Sequence, residues 1–550
     1  MSGTVHDAVV IGSGAGGGPL AARLAEAGWE VLLLEKGPLR RREDYTFDEV
    51  AATRRDFFIP SLADEPHVLM QAGNPRPTPT YLGWVGNSVG GGTVRMGGFF
   101  YRFHPDDFRM ESRHGAYEAQ ADWPYGYDEL EPYYARAEWD CGISGIAGSN
   151  PWEGARSSPY PLPPLDTHPL TASLETACRR LGWHPFPTPR AIVSRPYQGR
   201  PACSYCGLCA GFGCHTGARS SVQETYVVRA LATGNCELRP SAMVREVTVG
   251  SDGRATGCIY IDPEGAEHAV QARIVCVCCS AVESARLLLL SKSPSFPDGL
   301  ANGSGLVGRN LQFHGFSNGR GRFRYANHPD LPLRHPHPFL ECSVADHYFL
   351  PPAVSDLPKG GLIRYGFPAA SPVAAALRAA EEGPDLLWGS RLEQRLREYF
   401  HEYLTVDFEV FHDFIPNDRT FVVLDPAVRD KWGLPVARIH LDVPEHHRVA
   451  GRWLVDRALE ALAEMGADEV QTEEIGETAP YLVHGTCRAG KDPARSVLDE
   501  HCRCHEVPNL FVVDGSFMPT SGGAAPTLTI LANSLRTADH LIASAKAGVC

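Results

Sequence analysis

Val9-Val10-Ile11-Gly12-Ser13-Gly14-Ala15-Gly16-Gly17 is the stretch that decides the fold. A short apolar strand, Asp7 to Ile11, runs into a G-x-G-x-x-G turn, and a helix with apolar spacing, Pro19 to Ala27, follows it. Val31 to Leu34 reads as a second strand and ends at Glu35. Each position has a physical task. Gly12 permits a tight turn, Gly14 and its neighbour Ala15 let the backbone approach a pyrophosphate, and Gly17 lets the helix pack closely on the strand. The helix start offers unpaired N–H groups and a partial positive charge to phosphates. Glu35 can accept hydrogen bonds from ribose hydroxyls and would repel a 2′-phosphate. With strand, helix and acid in place, the turn reads as a dinucleotide site, although FAD and NAD are not separated by it.

Around this start the chain has 550 residues, more than one core usually fills, so two large lobes are expected. Its composition, 43% hydrophobic and 21% charged, is that of a soluble globular protein. No apolar run approaches the roughly 18 residues of a membrane span. The first residues lack a basic region followed by an apolar stretch, which predicts no secretory signal and a cytoplasmic location. A net charge of −14 argues against nucleic-acid binding, which needs clustered Lys and Arg. It is compatible with a cationic substrate, and solubility alone also accounts for it.

Further along, residues 316–476 change character. The runs Ser317 to Tyr325, Gly361 to Phe367, Tyr403 to Phe411, Arg419 to Val423 and Val436 to Leu441 read as strands. Val373 to Glu381 and Pro444 to Met465 read as helices. The pattern predicts an antiparallel sheet backed by helices and inserted into the first lobe.

Downstream motifs narrow the reading. Gly86-Asn87-Ser88-Val89-Gly90-Gly91-Gly92-Thr93, the run Ser280 to Ser291, Gly308-Arg309-Asn310-Leu311, Gly485-Thr486-Cys487-Arg488, Asn509 to Ser516 and Pro526-Thr527-Leu528-Thr529 occur in this order. Together they resemble the signatures of the glucose–methanol–choline (GMC) family of FAD-dependent oxidoreductases. The resemblance implies an α/β + β architecture, a Rossmann-like FAD-binding domain with an inserted antiparallel-sheet substrate domain. The FAD-binding domain would comprise residues 1–45, 81–109, 203–315 and 480–550, and the cap 46–80, 110–202 and 316–479. By the same resemblance Gly90, Gly91 and Thr93 approach the flavin, Val244 meets the adenine end, and Asp514 with Gly515 lies near the ribityl–pyrophosphate stretch. The helix start at Thr527 would aim its N–H groups at the flavin pyrimidine edge, where the reduced ring carries negative charge. Some members attach FAD through a histidine after the glycine-rich loop. Here that stretch is Thr93-Val94-Arg95-Met96, which predicts dissociable FAD.

At the expected catalytic positions this chain departs from the family. A histidine usually stands three residues before the Gly-Thr step, and a His or Asn before the Pro-Thr of the last helix. Leu482 and Ala525 occupy these places, and neither can take a proton. His484 is the nearest imidazole and is the expected catalytic base. On a regular strand it would share a face with Leu482. A structural role for His484 is the alternative, and His314 and His505 are further imidazoles within family-like motifs.

Sixteen cysteines are present, and Cys203, Cys206, Cys209 and Cys214 are crowded with glycines at 207, 211 and 213. The spacing admits an iron–sulfur cluster, a structural zinc with four thiolates, or mere packing. Cys276, Cys278 and Cys279 sit in an apolar run and read as packing residues.

The C-terminal wording, HGTCRAGKDPARSV and VVDGSFMPTSGG, most resembles flavin-dependent alcohol dehydrogenases of aminoglycoside biosynthesis. That implies oxidation of a CH–OH group of a sugar, polyol or aminoglycoside intermediate, with an electron acceptor the sequence does not name. A redox-neutral lyase or isomerase, or a catalytically silent flavoprotein subunit, is the alternative raised by Leu482 and Ala525.

Overall fold

The computed structural model describes residues 5–54, 57–115, 118–333, 339–368, 371–381 and 385–548. Its first sheet is built around the strand Val5–Ile11, which pairs in parallel with Val31–Leu34 and with Glu267–Val277. Cys236–Arg239 and Leu510–Val512 extend the parallel part on either side. Met243–Val249 and Ala255–Ile261 add an antiparallel meander to Glu267–Val277. All four residues of Val31–Leu34 are buried, as expected of a parallel strand covered on both faces. The helices Gly17–Glu26 and Thr527–Lys546 pack against each other. Cys276 and Cys278 are buried among this core as packing residues, whereas Cys279 is only partly buried.

The second sheet is antiparallel, in the order Cys342–Val344, Gly361–Gly366, Tyr403–His412, Arg309–Arg324, Glu469–Thr486. Alternation along Tyr403–His412 divides it into two faces. Val406, Phe408 and Val410 lie under Leu454, Val455, Ala458, Ala461 and Leu462 of the helix Glu445–Glu464. Glu409 and Phe411, at the intervening positions, face the other way, into a cavity.

Two of the five strand-like runs are placed differently from the expectation of one sheet. Phe421–Arg429 and Pro435–Leu441 form a separate four-stranded sheet with His67–Gln71 and Asn74–Thr80. The last of these, Asn-Pro-Arg-Pro-Thr-Pro-Thr, conceals itself as a strand because proline cannot donate to a ladder. It is tolerated there because it is the edge strand. Among the described residues no helix is long and apolar enough to cross a membrane.

Candidate active site

One cavity of 450 Å³ connects the glycine turn of the first sheet to the open face of the second. At one end it is lined by Gly12, Gly14, Ala15, Glu35, Val244 and Cys279. At the other end the wall is made by Arg95, Met96, Phe99, Phe316, Glu409, Phe411, Tyr481, Leu482, Val483 and Ala525.

The first end is shaped for a pyrophosphate. Gly12 has φ +98°, and a side chain there would meet the Cys278 carbonyl oxygen at 2.3 Å. Gly14 packs against Gly91 of the second glycine-rich loop, where a Cβ on Gly91 would stand 2.9 Å from the Gly14 Cα, so two bare backbones form this part of the wall. Gly91, Thr93, Asp514, Gly515 and Thr527 also line the cavity. Gly17 and Gly90 are not on its wall. A Cβ on Gly17 would stand 1.9 Å from the Gly12 oxygen, so this glycine serves helix–strand packing. Gly90 holds the second loop through a left-handed turn, and its N–H donates to the Ser13 hydroxyl at 2.9 Å. The Thr93 hydroxyl donates to the Gly90 carbonyl at 2.6 Å and accepts from Val222 N–H at 2.9 Å.

Glu35 does more than the sequence suggests. Its carboxylate accepts from Ser13 N–H (3.0 Å), the Ser13 hydroxyl (2.7 Å) and Gly37 N–H (2.8 Å). It therefore fixes the turn as well as facing the cavity; Ser13 uses Oε2 twice, and Oε1 keeps one lone pair for a ribose hydroxyl. Burial pushes its pKa above the ordinary carboxylate value despite these bonds. Asp514 is similarly occupied: it accepts from Ser280 N–H (3.0 Å), Ser516 N–H (2.8 Å) and the hydroxyls of Ser284 and Ser516. The helix Thr527–Lys546 starts at the cavity with no side-chain cap, leaving its first N–H groups available. Opposed glycines, an acid for ribose and an uncapped helix start fit FAD.

His484 is not on the wall. Leu482 and Val483 line the cavity, while His484 is fully buried behind them with its ring 4.8 Å from that of His314. The strand explains this. Its register slips between Ala479 and Val483 and again between His484 and Thr486, so two-residue alternation fails and Leu482 and His484 do not share the cavity face. Neither ring nitrogen of His484 has a hydrogen-bond partner among the described residues. Burial, and then His314, push its pKa well below the imidazole value. His314 is likewise driven down by burial, to about 4. His505 lies elsewhere, bonded to the Ser496 hydroxyl at 3.0 Å.

The cysteine loop does touch the cavity, through Ala210 and Gly211. Arg219 staples it to the flavin-side loop by donating to the carbonyls of Met96, Val94, Cys209 and Phe212. Cys206 and Cys214 lie close enough to Cys203 and Cys209 to add to the upward push that burial gives those two thiols. Yet among the described residues no three Cys, His, Asp or Glu side chains stand where they could hold a metal ion. Cys203 and Cys214 pack against Leu162, Val193 and Ala218, and burial pushes the Cys203 thiol up to about 12. Arranged this way, the four thiols do not fit the iron–sulfur cluster or zinc that their spacing admits.

The sequence reading missed Glu409, Arg364 and Phe99. Arg364 donates to Glu409 Oε2 at 3.1 Å, and its guanidinium lies 3.9 Å over the Phe99 ring. The available signal was the regular insertion of Asp407 and Glu409 into an otherwise apolar strand. Acids on one side of a covered strand need a polar purpose.

Known proteins agree with this geometry. Residues 50–316 and 416–534 match the N-terminal and C-terminal parts of the family described as GMC oxidoreductase. The 2-methyl-1,2-propanediol dehydrogenase of Mycolicibacterium austroafricanum is 33% identical, over 97% of this chain and 95% of its own. Paromamine 6′-oxidase of Streptomyces fradiae is also 33% identical, over 97% of this chain and 91% of its own. The crystal structure of pyridoxine 4-oxidase from Mesorbium loti superposes with a TM-score of 0.62 at 22% identity, over 97% of this chain and 99% of that one. A dinucleotide cradle opening onto a second sheet, two family models that together match most of the chain, and relatives 33% identical over 97% of it have one meaning: the chain belongs to the GMC oxidoreductases.

Proposed function

We propose that the protein oxidises a CH–OH group of a sugar, amino-sugar or polyol alcohol to the carbonyl, using non-covalently held FAD. The observation that carries this reading is the single cavity that joins the dinucleotide cradle to a chamber walled by Met96, Phe316, Phe411, Leu482 and Ala525, with Glu409, held by Arg364, at its polar edge. Apolar walls shelter a reacting carbon from water, and a carboxylate–guanidinium pair beside an aromatic face suits a polyhydroxylated ring or an ammonium group. The names of the two 33%-identical relatives, a diol dehydrogenase and an aminoglycoside oxidase, point to the same kind of substrate.

Bound FAD would accept the hydride released from the carbinol carbon. Gly12, Gly14 and Gly91 would give its pyrophosphate room, Glu35 would bind ribose hydroxyls, and the helix start at Thr527 would stabilise negative charge on the reduced ring. Phe316 and Phe411 would hold the alcohol against the ring and exclude water. A cytoplasmic location and a separate electron acceptor complete the reading.

Two results test it. Acid or heat denaturation of the purified yellow protein is expected to release intact FAD into the supernatant; flavin that remains with the precipitate contradicts non-covalent binding. Anaerobic mixing with a panel of amino sugars, sugars and polyols is expected to bleach the flavin with at least one of them. A redox-neutral isomerase or lyase is the second reading, favoured by the apolar Leu482 and Ala525 on the wall. It predicts product formation without bleaching.

A further inference from the structure

Alcohol oxidation needs an acceptor for the hydroxyl proton, and the two wall positions where an imidazole is expected are apolar. Four carboxylates line the cavity among the described residues: Glu35, Glu283, Glu409 and Asp514. Three are committed at the dinucleotide end. Glu35 accepts from Ser13 and Gly37, Asp514 from Ser280, Ser284 and Ser516, and Glu283 from His67 (3.1 Å) and Arg286 (3.1 Å). At the other end the ionisable wall residues are Arg95, Tyr481 and Glu409. A guanidinium has no basic site. The Tyr481 phenol is at the exposed rim, engaged face-on by Arg95 at 4.7 Å.

Glu409 differs from all of these. It sits two residues along the strand from Phe411, on the same cavity-facing side, opposite Arg364 on the neighbouring strand. Arg364 holds Oε2 at 3.1 Å, and no hydrogen bond among the described residues engages Oε1. Phe99 supports Arg364 from beneath at 3.9 Å. One carboxylate oxygen is thus anchored by Arg364, and the side chain lines the chamber with the other left without a protein partner among the described residues.

We propose that Glu409 is the group that takes the hydroxyl proton of the alcohol, with Arg364 as its positioning residue. The assignment rests on the alcohol-oxidation reading above. In the step, the O–H bond breaks and its proton passes to Glu409 Oε1. The C–H bond breaks with its electron pair leaving as hydride, for which bound FAD would supply the acceptor, and the oxygen lone pair closes the C=O bond. The alcohol is oxidised by two electrons, FAD is reduced by two, and no other reactant is required. Glu409 then gives its proton to water when the carbonyl product leaves.

The test is anaerobic stopped-flow reduction of FAD-saturated Glu409→Gln, Glu409→Asp and His484→Gln, after any alcohol has been found that bleaches the parent. Removing a positioned base costs about 10²- to 10⁴-fold in rate. Glu409→Gln is expected to lose that much in the limiting reduction rate, and Glu409→Asp to recover part of it. Reduction by dithionite is expected to be unchanged, and binding of the carbonyl product to oxidised protein, followed by calorimetry, to weaken far less than the rate falls. His484→Gln is expected to reduce at close to the parental rate once saturated with FAD. A Glu409→Gln rate near the parental one overturns the proposal, as does a loss of product affinity without a loss of rate. A parent that no alcohol bleaches contradicts the alcohol-oxidation reading instead.

Discussion

Gly14→Val is expected to yield a folded protein that purifies without its yellow colour, while Gly17→Val is expected not to fold. The two glycines are three residues apart in one turn, yet the space around them is of different kinds. A Cβ on Gly14 meets only the Gly91 Cα, at 3.7 Å, an ordinary contact. Its γ-methyls would project from the turn onto the stretch of cavity wall that Gly14 and Gly91 share, against a bound pyrophosphate. Overpacking of about 1–3 kcal/mol against the cofactor corresponds to roughly 10- to 100-fold weaker FAD retention. A Cβ on Gly17 meets the Gly12 oxygen at 1.9 Å and Val10 Cγ1 at 3.0 Å, in the middle of the first sheet's core. Backbone cannot yield there without separating helix Gly17–Glu26 from its strand. Circular dichroism with the flavin-to-protein absorbance ratio distinguishes the two. A yellow Gly14→Val protein would contradict the placement of the pyrophosphate against this turn.

Lys359→Met is expected to destabilise the protein by about 3–5 kcal/mol, the usual cost of removing one partner from a buried ionic network. Lys359 is completely buried, in contact with Asp107 and 3.8 Å from Asp413, both also buried. The Tyr348 hydroxyl donates to Asp107 at 2.6 Å, and the Ser521 hydroxyl donates to Asp413. Gly523 N–H donates to the Tyr348 oxygen at 3.0 Å, so the network fixes the segment that leads to Ala525 on the cavity wall. Methionine fills the volume but leaves two carboxylates without their cation. Burial already pushes Asp413 up to about 6, with Lys359 acting against the rise. A carboxylate whose folded pKa is raised costs stability above that pKa and stops costing it once protonated in both states. The deficit of Lys359→Met should therefore be largest at pH 8 and narrow at pH 5, because the folded variant can neutralise its acids. Denaturant titrations at both values check this. A deficit independent of pH would mean that lost packing, not unpaired charge, sets the effect.

Much of the molecule was legible from residues alone, for physical reasons that can be located. The strand–turn–helix at Val9 to Gly17 is readable because each glycine is demanded by backbone geometry that leaves a trace in sequence. Tyr403 to Phe411 is readable as a strand because its alternation reports two faces. Asn74–Thr80 was not, since an edge strand carrying three prolines has no strand-like composition. The placement of His484 was not legible either. It depended on register slips in the strand Glu469–Thr486 that no local pattern announces, and these put Leu482 and Val483 on the wall and the imidazole behind it. The cysteine spacing was visible, but whether thiols converge depends on how Arg219 and the packing of Cys203 and Cys214 hold the loop. Glu409 became significant only when the second sheet's open face met the dinucleotide cradle.

Whether this cavity couples alcohol oxidation to flavin reduction is decided by a single anaerobic turnover. FAD-loaded protein would be mixed, without oxygen or added acceptor, with an alcohol from the amino-sugar, sugar and polyol panel, and flavin absorbance and carbonyl product measured together. One carbonyl is expected for each flavin bleached, with no further product until an acceptor is admitted. Product accumulating beyond the flavin present, with the flavin still oxidised, would contradict it and place redox-neutral chemistry in this site.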